Sequence, residues 1–508
     1  MEIIREGLLE PRDYQLKIAK VASHFNTLVV LPTGLGKTII AILVAANRLK
    51  KYPGSKILML APTRPLCVQH KKSFEKFTTI KSYQIVAVTG KFDIYKRKRL
   101  YNRGKIVTAT PQCILNDIRR GYFDLSNVSL LVIDEAHRAV GNYAYVDIAK
   151  IYVKSSKFPL ILGLTASPGG RLERIEEVRK NLFIEKVEIR SESDRDVRPY
   201  VKRIKKEWIY VELPKEMQVI RNILEDCLGE CLEWLKEHGF ITSKKITKKL
   251  LLILQKEISE KISEGKTILY SAAKKVAEAL KYVYALELLE TQGISPLYEF
   301  LKELNRSNKK SDRSITKDPR IIFALRKVEK LIEKGIEHPK MDKLIQIVKE
   351  LVLKDPKIKI IVFANYRATV DRINRKLIEN GLKSNVLIGQ ASKKTKGLSQ
   401  REQVEILRRF ARREFNVLVA TSIGEEGLDI VDTDVAIFYE AVPSEIRMIQ
   451  RRGRVGRQKA GKLIILLTKG TMDEAFYWAA FHKLRKMRSI LYEMKERSKG
   501  FSLLDWTG

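Results

Sequence analysis

The stretch LVVLPTGLGKTII, residues 28–40, decides the fold of this chain. Its apolar lead predicts a buried parallel strand, and its tail predicts a helix. Between them, Gly34 and Gly36 allow backbone N–H groups to close around a polyphosphate, aided by the partial positive charge of the helix N-terminus. Lys37 is placed to reach the outer phosphates, and the Thr38 hydroxyl to bind Mg²⁺. The stretch therefore predicts a nucleoside triphosphate site.

The composition of the 508-residue chain favours a polyanionic partner. The chain has 97 Lys and Arg against 60 Asp and Glu, a formal net charge of +37. Beside a phosphate loop, such an excess points to nucleic acid, although a basic surface without a partner is the alternative. The length predicts roughly three domains.

Two absences in the sequence bear on location and on metal binding. No apolar run approaches ~18–20 residues, and the N-terminus lacks a secretory pattern. We therefore expect a soluble, intracellular protein without a membrane partner, cytoplasmic if its source is prokaryotic or archaeal. The cysteines are too few and too scattered for a disulfide framework or a zinc site; they are Cys67, Cys113, Cys227 and Cys231.

A glutamine lies about twenty residues ahead of the phosphate loop. Pro11 can begin a helix there, and Gln15 carries an amide that both donates and accepts hydrogen bonds. Such an amide can contact both polar edges of adenine. A single glutamine on a helix, taken alone, is more often solvated.

Polar or small residues follow three apolar runs that we predict to be strands. They are Thr63 and Arg64 after residues 57–61, Gly90 after residues 84–88, and Thr110 after residues 105–109. Ligands gather at the carboxyl edge of parallel sheets, and hydroxyl and guanidinium groups suit phosphates. The repetition predicts an edge that tracks a nucleic-acid backbone, whereas each signal alone also fits a loop with a solvated side chain.

The apolar run at residues 128–133 ends in two adjacent carboxylates, Asp134 and Glu135. We expect Asp134 to hold Mg²⁺ through water, and Glu135 to orient and deprotonate the water that attacks the γ-phosphate. Another predicted strand, residues 160–164, ends at Thr165 and Ser167, whose hydroxyls are placed to link the carboxylates to the nucleic-acid edge. Without the neighbouring motifs these two residues would be an ordinary turn.

From residue 214 to about residue 334 the pattern is helical and contains no phosphate loop. A basic cluster in this block has a spacing that predicts two neighbouring faces of one helical turn; it consists of Lys244, Lys245, Lys248 and Lys249. Residues 305–318 are polar enough to predict a mobile loop. The lysines favour contact with a duplex, while a charged helical bundle without a ligand is the alternative.

A second α/β series begins near residue 339. Predicted strands at residues 359–364 and 416–420 end in amide or hydroxyl side chains, and a glycine loop with a carboxylate follows. The stretch QRRGRVGR, residues 450–457, places two arginines three apart, so on a helical turn both can reach one phosphate as arginine fingers. In isolation it would be a solvated basic run. The candidates of this series are Asn365, Thr421, Gly424, Asp429, Gln450, Arg454 and Arg457.

Taken in order, these stretches resemble the motifs of superfamily 2 helicases. Residues 32–38, 134–137 and 165–167 match motifs I, II and III, the second series matches motifs IV, V and VI, and Arg12 with Gln15 matches the Q motif. In this family the phosphate loop has the sequence Pro-Thr-Gly-x-Gly-Lys-Thr, which accounts for Leu31 where the general pattern has glycine.

The resemblance implies an α/β fold with two RecA-like parallel-sheet lobes and an inserted all-helical domain. Lobe one is expected at residues 1–205, the helical insertion at 206–335, and lobe two with C-terminal helices at 336–508. The implied cofactors are ATP and Mg²⁺.

The resemblance also implies a role for each candidate. ATP binding falls to Arg12, Gln15, Thr33, Gly34, Gly36, Lys37, Thr38, Gly424 and Asp429, and the metal to Thr38 and Asp134. Catalysis falls to Glu135, Gln450, Arg454 and Arg457, and coupling to His137, Thr165 and Ser167. Nucleic-acid contact falls to Thr63, Arg64, Gly90, Thr110, Asn365 and Thr421, with Lys244, Lys245, Lys248 and Lys249.

The layout looks most like the archaeal Hef and Fanconi anaemia M branch. That likeness implies a monomeric ATP-dependent DNA helicase or translocase that acts in DNA repair on forks and four-way junctions, mainly through backbone contacts. Archaeal members continue into a nuclease domain, and no nuclease metal motif follows residue 470. We therefore expect a helicase-only or truncated protein, with a downstream or partner nuclease. The alternatives are an RNA-sensing or Dicer-type duplex RNA ATPase and a nucleotide-gated scaffold without turnover.

Overall fold

The computed structural model describes residues 3–167, 172–201, 204–244, 246–262, 267–389, 397–421, 433–441 and 461–499. The candidates that lie outside the described residues are Lys245, Gly424, Asp429, Gln450, Arg454 and Arg457. Within the described ranges the chain forms two parallel sheets with a helical domain between them in sequence, which confirms the predicted fold class. No helix in these ranges combines the length and the hydrophobicity that a membrane crossing requires.

The first lobe is an α/β layer structure. Its strands are β1 (Thr27–Val30), β2 (Lys56–Leu60), β3 (Ile85–Val88), β4 (Ile106–Ala109), β5 (Val128–Asp134), β6 (Ile161–Thr165) and β7 (Lys186–Ile189). Its helices are α1 (Asp13–Ala22), α2 (Lys37–Lys51), α3 (Arg64–Phe77), α4 (Ile94–Arg103), α5 (Pro111–Arg119), α6 (Ala144–Ser155) and α7 (Leu172–Asn181). The described strands pair in parallel in the order β3-β4-β2-β5-β6-β1-β7.

Both faces of this sheet are covered, which is why its strands are short, almost wholly apolar runs. Along β2, Leu58 and Leu60 pack into one hydrophobic core while Ile57 and Met59 pack into the other. All four side chains are fully buried. The strands predicted from apolar runs occur within one or two residues of their predicted positions.

The helical domain follows, as predicted for residues 214–334. Its helices are α8 (Lys215–Glu237), α9 (Lys248–Lys261), α10 (Thr267–Thr291), α11 (Ile294–Arg306), α12 (Lys310–Lys317) and α13 (Pro319–Glu333). They share one apolar core. The predicted mobile loop at residues 305–318 is wrong, because α12 lies there with Ser311 and Asp312 buried against Lys281 of α10.

The second lobe has its own parallel sheet. Its strands are β8 (Ile204–Val211), β9 (Ile360–Phe363), β10 (Ser384–Leu387), β11 (Val417–Ala420), β12 (Val435–Phe438) and β13 (Gly461–Thr468), in the described order β10-β11-β9-β12-β13-β8. Its helices are α14 (Pro339–Lys354), α15 (Arg367–Glu379), α16 (Gln400–Ala411) and α17 (Met472–Lys499). The expected boundary at residue 206 divides β8 between lobe one and the helical insertion, but β8 pairs with β13 along its whole length and is an edge of the second sheet.

The helical domain is fastened to the second lobe around Glu290, a buried residue near the end of α10. Its carboxylate accepts the Met472 backbone N–H at 2.7 Å, and it pairs with Arg221 of α8 at 2.8 Å. Its backbone carbonyl accepts the His338 Nε2–H at 2.9 Å and the Thr468 hydroxyl at 3.3 Å. Burial, reinforced by a nearby lysine, lowers the pKa of His338 well below its ordinary value, so this donor is a neutral imidazole. The helical domain and the second lobe are therefore one packed unit.

The last described helix, α17, runs from the second lobe back to the first. It begins beside β13, while Met487 lies within a core of the first lobe. Further along, the Tyr492 hydroxyl is 2.7 Å from Ser191 Oγ, in the segment after β7. One continuous helix therefore spans both lobes.

Candidate active site

The phosphate loop has the local geometry that its sequence predicts. It connects β1 to α2, with Gly34 at φ 82° and Gly36 at φ 80°, in the left-handed region that glycine adopts without strain. Gly36 is the N-cap of α2, so the first free N–H groups of that helix face the loop. The Lys37 ammonium donates to the Leu31 carbonyl at 3.0 Å, which holds the side chain across the loop.

Gly36 also lies against Gln15, which ties the Q motif to the loop. A Cβ at position 36 would collide with the Gln15 amide nitrogen. That amide donates to the Leu35 carbonyl at 3.1 Å, and its oxygen accepts the Arg12 backbone N–H at 2.9 Å. Because an amide has two donors and two lone pairs, Gln15 retains capacity for one further partner at each end.

Arg12 stacks over the ring of Tyr200 at 4.6 Å, an arrangement that sequence reasoning missed. The same guanidinium donates to the Tyr14 hydroxyl at 3.1 Å, and Tyr14 packs edge-to-face on Tyr200. Nothing in the sequence links Tyr200 to a residue almost two hundred positions earlier. The cluster gives the Q motif a flat, half-exposed aromatic neighbour.

Asp134 is buried and held in the ionised state. Burial alone would raise the pKa of its carboxyl, but the hydrogen bond and charge of His70, together with the charge of Lys37, outweigh it and lower the pKa. His70 Nε2 lies 2.8 Å from Asp134 Oδ2, and the Glu135 backbone N–H donates to Oδ1 at 3.0 Å. The carboxylate is thus fixed in direction and negatively charged.

His70 is a second site residue that the sequence did not reveal. It lies on α3, which follows β2, and β2 pairs with β5, the strand that ends in Asp134. A parallel sheet therefore brings α3 next to the end of β5. A lone histidine in a basic amphipathic helix carries no sequence signal for that role.

The remaining motif residues form one chain of contacts. Glu135 has φ 50°, ψ 49°, a left-handed conformation that turns its side chain away from the strand direction. His137 Nδ1 is 3.3 Å from Glu135 Oε2 and 3.2 Å from Thr165 Oγ1. Thr165 in turn is hydrogen-bonded to both the backbone N–H and the carbonyl of Ser167, and the Ser167 hydroxyl contacts Met487 Sδ at 2.9 Å. The structure thus joins the three predicted coupling residues to Glu135 and to α17.

The residues present fit a magnesium nucleotide. The loop turns through two glycines of positive φ into the N-terminus of α2, and a positive side chain, Lys37, and an ionised buried carboxylate, Asp134, lie within electrostatic reach of each other. Thr38, in the first turn of α2, adds a hydroxyl at the same end of the helix, and Thr33 belongs to the loop that precedes it. Opposed charges around a glycine cradle suit a polyphosphate bound with a divalent cation.

The first-lobe candidates for nucleic-acid contact lie at the carboxyl edge of the sheet. Thr63 and Thr110 are the N-caps of α3 and α5, yet neither hydroxyl makes the capping hydrogen bond usual for threonine there. Thr63 Oγ1 is buried and has no hydrogen-bond partner within the described part of the chain. The Arg64 guanidinium lies 4.0 Å from the position that a Cβ would take on Gly90. The edge therefore presents two helix N-termini and an arginine close together.

The second-lobe candidates also share an edge. Asn365 follows β9 and Thr421 follows β11, and these two strands are paired neighbours. The Asn365 amide donates to the Ala441 carbonyl at 3.4 Å, and the Thr421 N–H donates to the Leu387 carbonyl at 3.2 Å. Both residues are thus anchored at the carboxyl ends of parallel strands.

The predicted arrangement of the lysine cluster is wrong. Helix α9 begins at Lys248, with Thr247 as its N-cap, so Lys244 precedes the helix and does not share a turn with Lys248. Lys244 pairs with Glu233, and Lys248 pairs with Glu287 at 2.6 Å. Threonine is a strong N-cap, and its hydroxyl accepts the Leu250 N–H, which fixes the start of the helix.

Three family models match consecutive parts of the chain. The model described as DEAD/DEAH box helicase matches residues 12–175, one for the helical bundle of ATP-dependent RNA helicases matches 216–342, and the helicase conserved C-terminal domain matches 339–459. Fold and site thus define a two-lobed DEAD/DEAH box helicase of superfamily 2.

Relatives narrow this class. The solved structure of the Pyrococcus furiosus Hef helicase domain is similar with a TM-score of 0.74 and 48% sequence identity, covering 94% of this chain and 99% of that one. The ATP-dependent DNA helicase fml1 of Schizosaccharomyces pombe is 36% identical over 90% of this chain and 57% of its own length. The chain belongs to the Hef and Fanconi anaemia M branch of superfamily 2 helicases. That membership implies ATP binding and hydrolysis and a nucleic-acid substrate.

Another relative has a different description. A Methanocaldococcus jannaschii protein named as an ATP-dependent RNA helicase is 43% identical over 97% of this chain. The chain spans 62% of the length of that protein and 57% of the length of the S. pombe helicase.

Proposed function

We propose that this chain is an ATP-driven DNA motor that translocates on branched DNA, such as forks and four-way junctions, in DNA repair. The observation that carries the proposal is the contact chain from Glu135 through His137 and Thr165 to Ser167 and on to Met487 of α17, since it connects the hydrolytic carboxylate to the helix that spans both lobes. A motor needs such a connection, and a nucleotide-gated scaffold does not.

In this proposal the first lobe binds the nucleotide. The α2 N-terminus and Lys37 hold the phosphates, Thr38 and the ionised Asp134 hold Mg²⁺, and Gln15 contacts the base. The cation supplies charge neutralisation at the phosphates when bound. Glu135 orients and deprotonates the attacking water, and it is held by His137 at 3.3 Å. The second lobe completes the site with Gly424, Asp429, Gln450, Arg454 and Arg457.

The DNA follows the two sheet edges through backbone contacts. Hydroxyls, helix N-termini and Arg64 on the first lobe suit phosphates rather than bases, as do Asn365 and Thr421 on the second. The relative in Schizosaccharomyces pombe is named as a DNA helicase, which favours DNA over the RNA alternative. We further propose that the chain acts as an intracellular monomer with a nuclease working on the same DNA.

The helical domain supplies the preference for branched substrates. Since it is fastened to the second lobe around Glu290, a duplex arm bound to it would keep a fixed position relative to the motor. Every motif assigned to ATP lies outside it. Its role is therefore to direct the motor and not to power it.

An ATPase assay across nucleic-acid structures tests the proposal. Hydrolysis is expected to rise most with forked DNA, less with single-stranded DNA and least with duplex RNA, and to vanish in Lys37→Ala. Stronger stimulation by duplex RNA than by forked DNA would establish the RNA-sensing alternative instead.

Salt should weaken DNA binding steeply and without regard to sequence. Backbone contacts release counterions, so the affinity for single-stranded DNA is expected to fall at least tenfold, as a rough bound, between about 50 and 200 mM salt. Fluorescence anisotropy with two oligonucleotides of different sequence measures both effects. A flat response, or strong discrimination between the sequences, would contradict a backbone-tracking edge.

Charge reversal near the start of α9 should weaken the binding of forked DNA more than the binding of single-stranded DNA. The change is Lys244→Glu with Lys249→Glu, which replaces two exposed cations without touching the ATP site. The slope of log affinity against log salt is expected to become shallower by about 2 for forked DNA. The matched control is Lys302→Glu with Lys330→Glu on α11 and α13. Equal losses of affinity for forked and for single-stranded DNA would show that these lysines do not contact the duplex arm.

A further inference from the structure

The outer edge of the first sheet carries a groove that lies mostly beyond the predicted nucleic-acid contacts. Strand β3 is the last of the seven in the described order, so its outer edge has no neighbouring strand there. Helices α3 and α4 flank this edge. The groove has a volume of about 800 Å³ and extends from Thr89 at the carboxyl end of β3 to Tyr83 and Arg103 beyond its other end.

The charges that line the groove have one sign. They are Arg64, Lys71, Lys91, Lys96 and Arg103, and no acidic side chain is among the described residues that line it. The nearest carboxylates have local roles, since Glu75 pairs with Lys71 at 2.9 Å and Asp93 caps α4 by accepting the Lys96 N–H. The groove therefore attracts an anionic ligand with several charges.

Aromatic side chains stand among these cations. Tyr83 lines the groove and is 55% exposed, and Phe92 lines it too. Tyr95 is not a lining residue, but it is 77% exposed on α4 next to Lys96 in sequence. The Lys96 ammonium lies 4.4 Å from the Phe92 ring centre. Exposed aromatic rings interleaved with cations are what single-stranded nucleic acid uses, because bases stack on the rings while phosphates meet the charges. An acidic peptide would need the charges but not the exposed rings.

The groove is continuous with the proposed DNA edge. Arg64 belongs to both, because it lines the groove and also approaches Gly90 within 4.0 Å of a Cβ position. We propose that the groove between α3 and α4 binds the single strand as it leaves the first lobe, extending the motor's footprint beyond the motif residues. The inference rests on the proposed function, since it needs a strand to reach Arg64.

The test compares strand lengths in the full chain. DNA of about 8 nucleotides should fill the motif edge alone, while about 25 nucleotides should also enter the groove. The main variant is Lys96→Glu with Arg103→Glu, and Tyr83→Ala is a second, uncharged variant. The matched control is Lys150→Glu with Lys154→Glu, two exposed lysines of α6 in the same lobe. The readouts are the half-saturating DNA concentration for ATPase and the maximal rate.

The wild-type chain should bind the longer strand at least several-fold more tightly. The main variant should lose most of that advantage, with its salt slope on the longer strand reduced by about 1.4, and Tyr83→Ala should lose part of it. The short strand, the maximal rate and the lysine control should be unchanged. If both groove variants still bind the longer strand more tightly than the short one, or if the control loses this difference equally, DNA does not bind in the groove. Absence of DNA stimulation at either length in the wild type would instead overturn the proposed function.

Discussion

Replacing Glu135 with glutamine is expected to slow ATP hydrolysis by roughly 10²-fold or more while ATP binding is kept. The substitution removes the proton acceptor for the attacking water but preserves the size of the side chain. The groups that grip the phosphates, Lys37 and the α2 N-terminus, are unaffected. Glu135 also holds a strained backbone conformation, at φ 50°, that glutamine can adopt equally.

Single-turnover hydrolysis and fluorescent nucleotide binding measure the two effects separately. Glu173→Gln, an exposed carboxylate of α7 in the same lobe, serves as the matched control and should hydrolyse normally. A second control, Glu135→Asp, keeps the charge but shortens the side chain, so it should retain a fraction of the rate. Undiminished turnover in Glu135→Gln would remove this residue from the reaction.

Much of the fold follows from continuous apolar runs. Strands such as β2 and β5 are buried on both faces, so their sequences are apolar without alternation and end at polar residues. Strand β8 largely alternates between half-buried and exposed residues, a pattern that does not identify its partner. Pairing with β13 joins residues about 250 positions apart, and no local pattern specifies such a contact.

In two polar segments the sequence does not indicate the regular structure that forms. The polar sequence of α12 predicts a mobile loop. The segment is instead an ordered helix, because Asp312 and Ser311 contact Lys281, thirty residues earlier. Strand β10 has the sequence SNVL and buries only its last residue, Leu387, so its apolar run is too short to indicate a strand. Both elements owe their conformation to tertiary partners.

The site residues also fall into two groups, those that the sequence identifies and those that it does not. Gly36 and Asp134 are identifiable because phosphate and metal binding demand those residue types at set distances from a strand end. His70 and Tyr200 are not, because their roles come from sheet order and from the segment after β7. The predicted arrangement of the lysine cluster is wrong for a reason that the local sequence contains, since Thr247, a strong helix N-cap, lies between its members.

Replacing Lys340 with methionine is expected to destabilise the second lobe by about 3–5 kcal/mol. The Lys340 ammonium is fully buried and lies 2.9 Å from Asp473 Oδ2, and the Asp473 side chain is fully buried too. Removing the cation would leave a buried carboxylate whose remaining donors among the described residues are the backbone N–H groups of Ala441 and Thr468. Lys343→Met, on an exposed part of the same helix, is the matched control.

The apparent Tm should fall by on the order of 5 °C or more in Lys340→Met and stay unchanged in the control. Adding Asp473→Asn removes the uncompensated charge, but the amide oxygen can accept from only one of the two backbone N–H groups that the carboxylate accepts, so the double variant should recover part of the loss. Asp473 lies in the first turn of α17, and its carboxylate joins α14 to the segment after β12 and to the last residue of β13. The Lys340→Met variant should therefore also loosen the start of the helix that reaches Ser167. Its maximal DNA-stimulated ATPase rate should then fall more than its rate without DNA. A single variant as stable as the wild type would show that the carboxylate needs no buried cation.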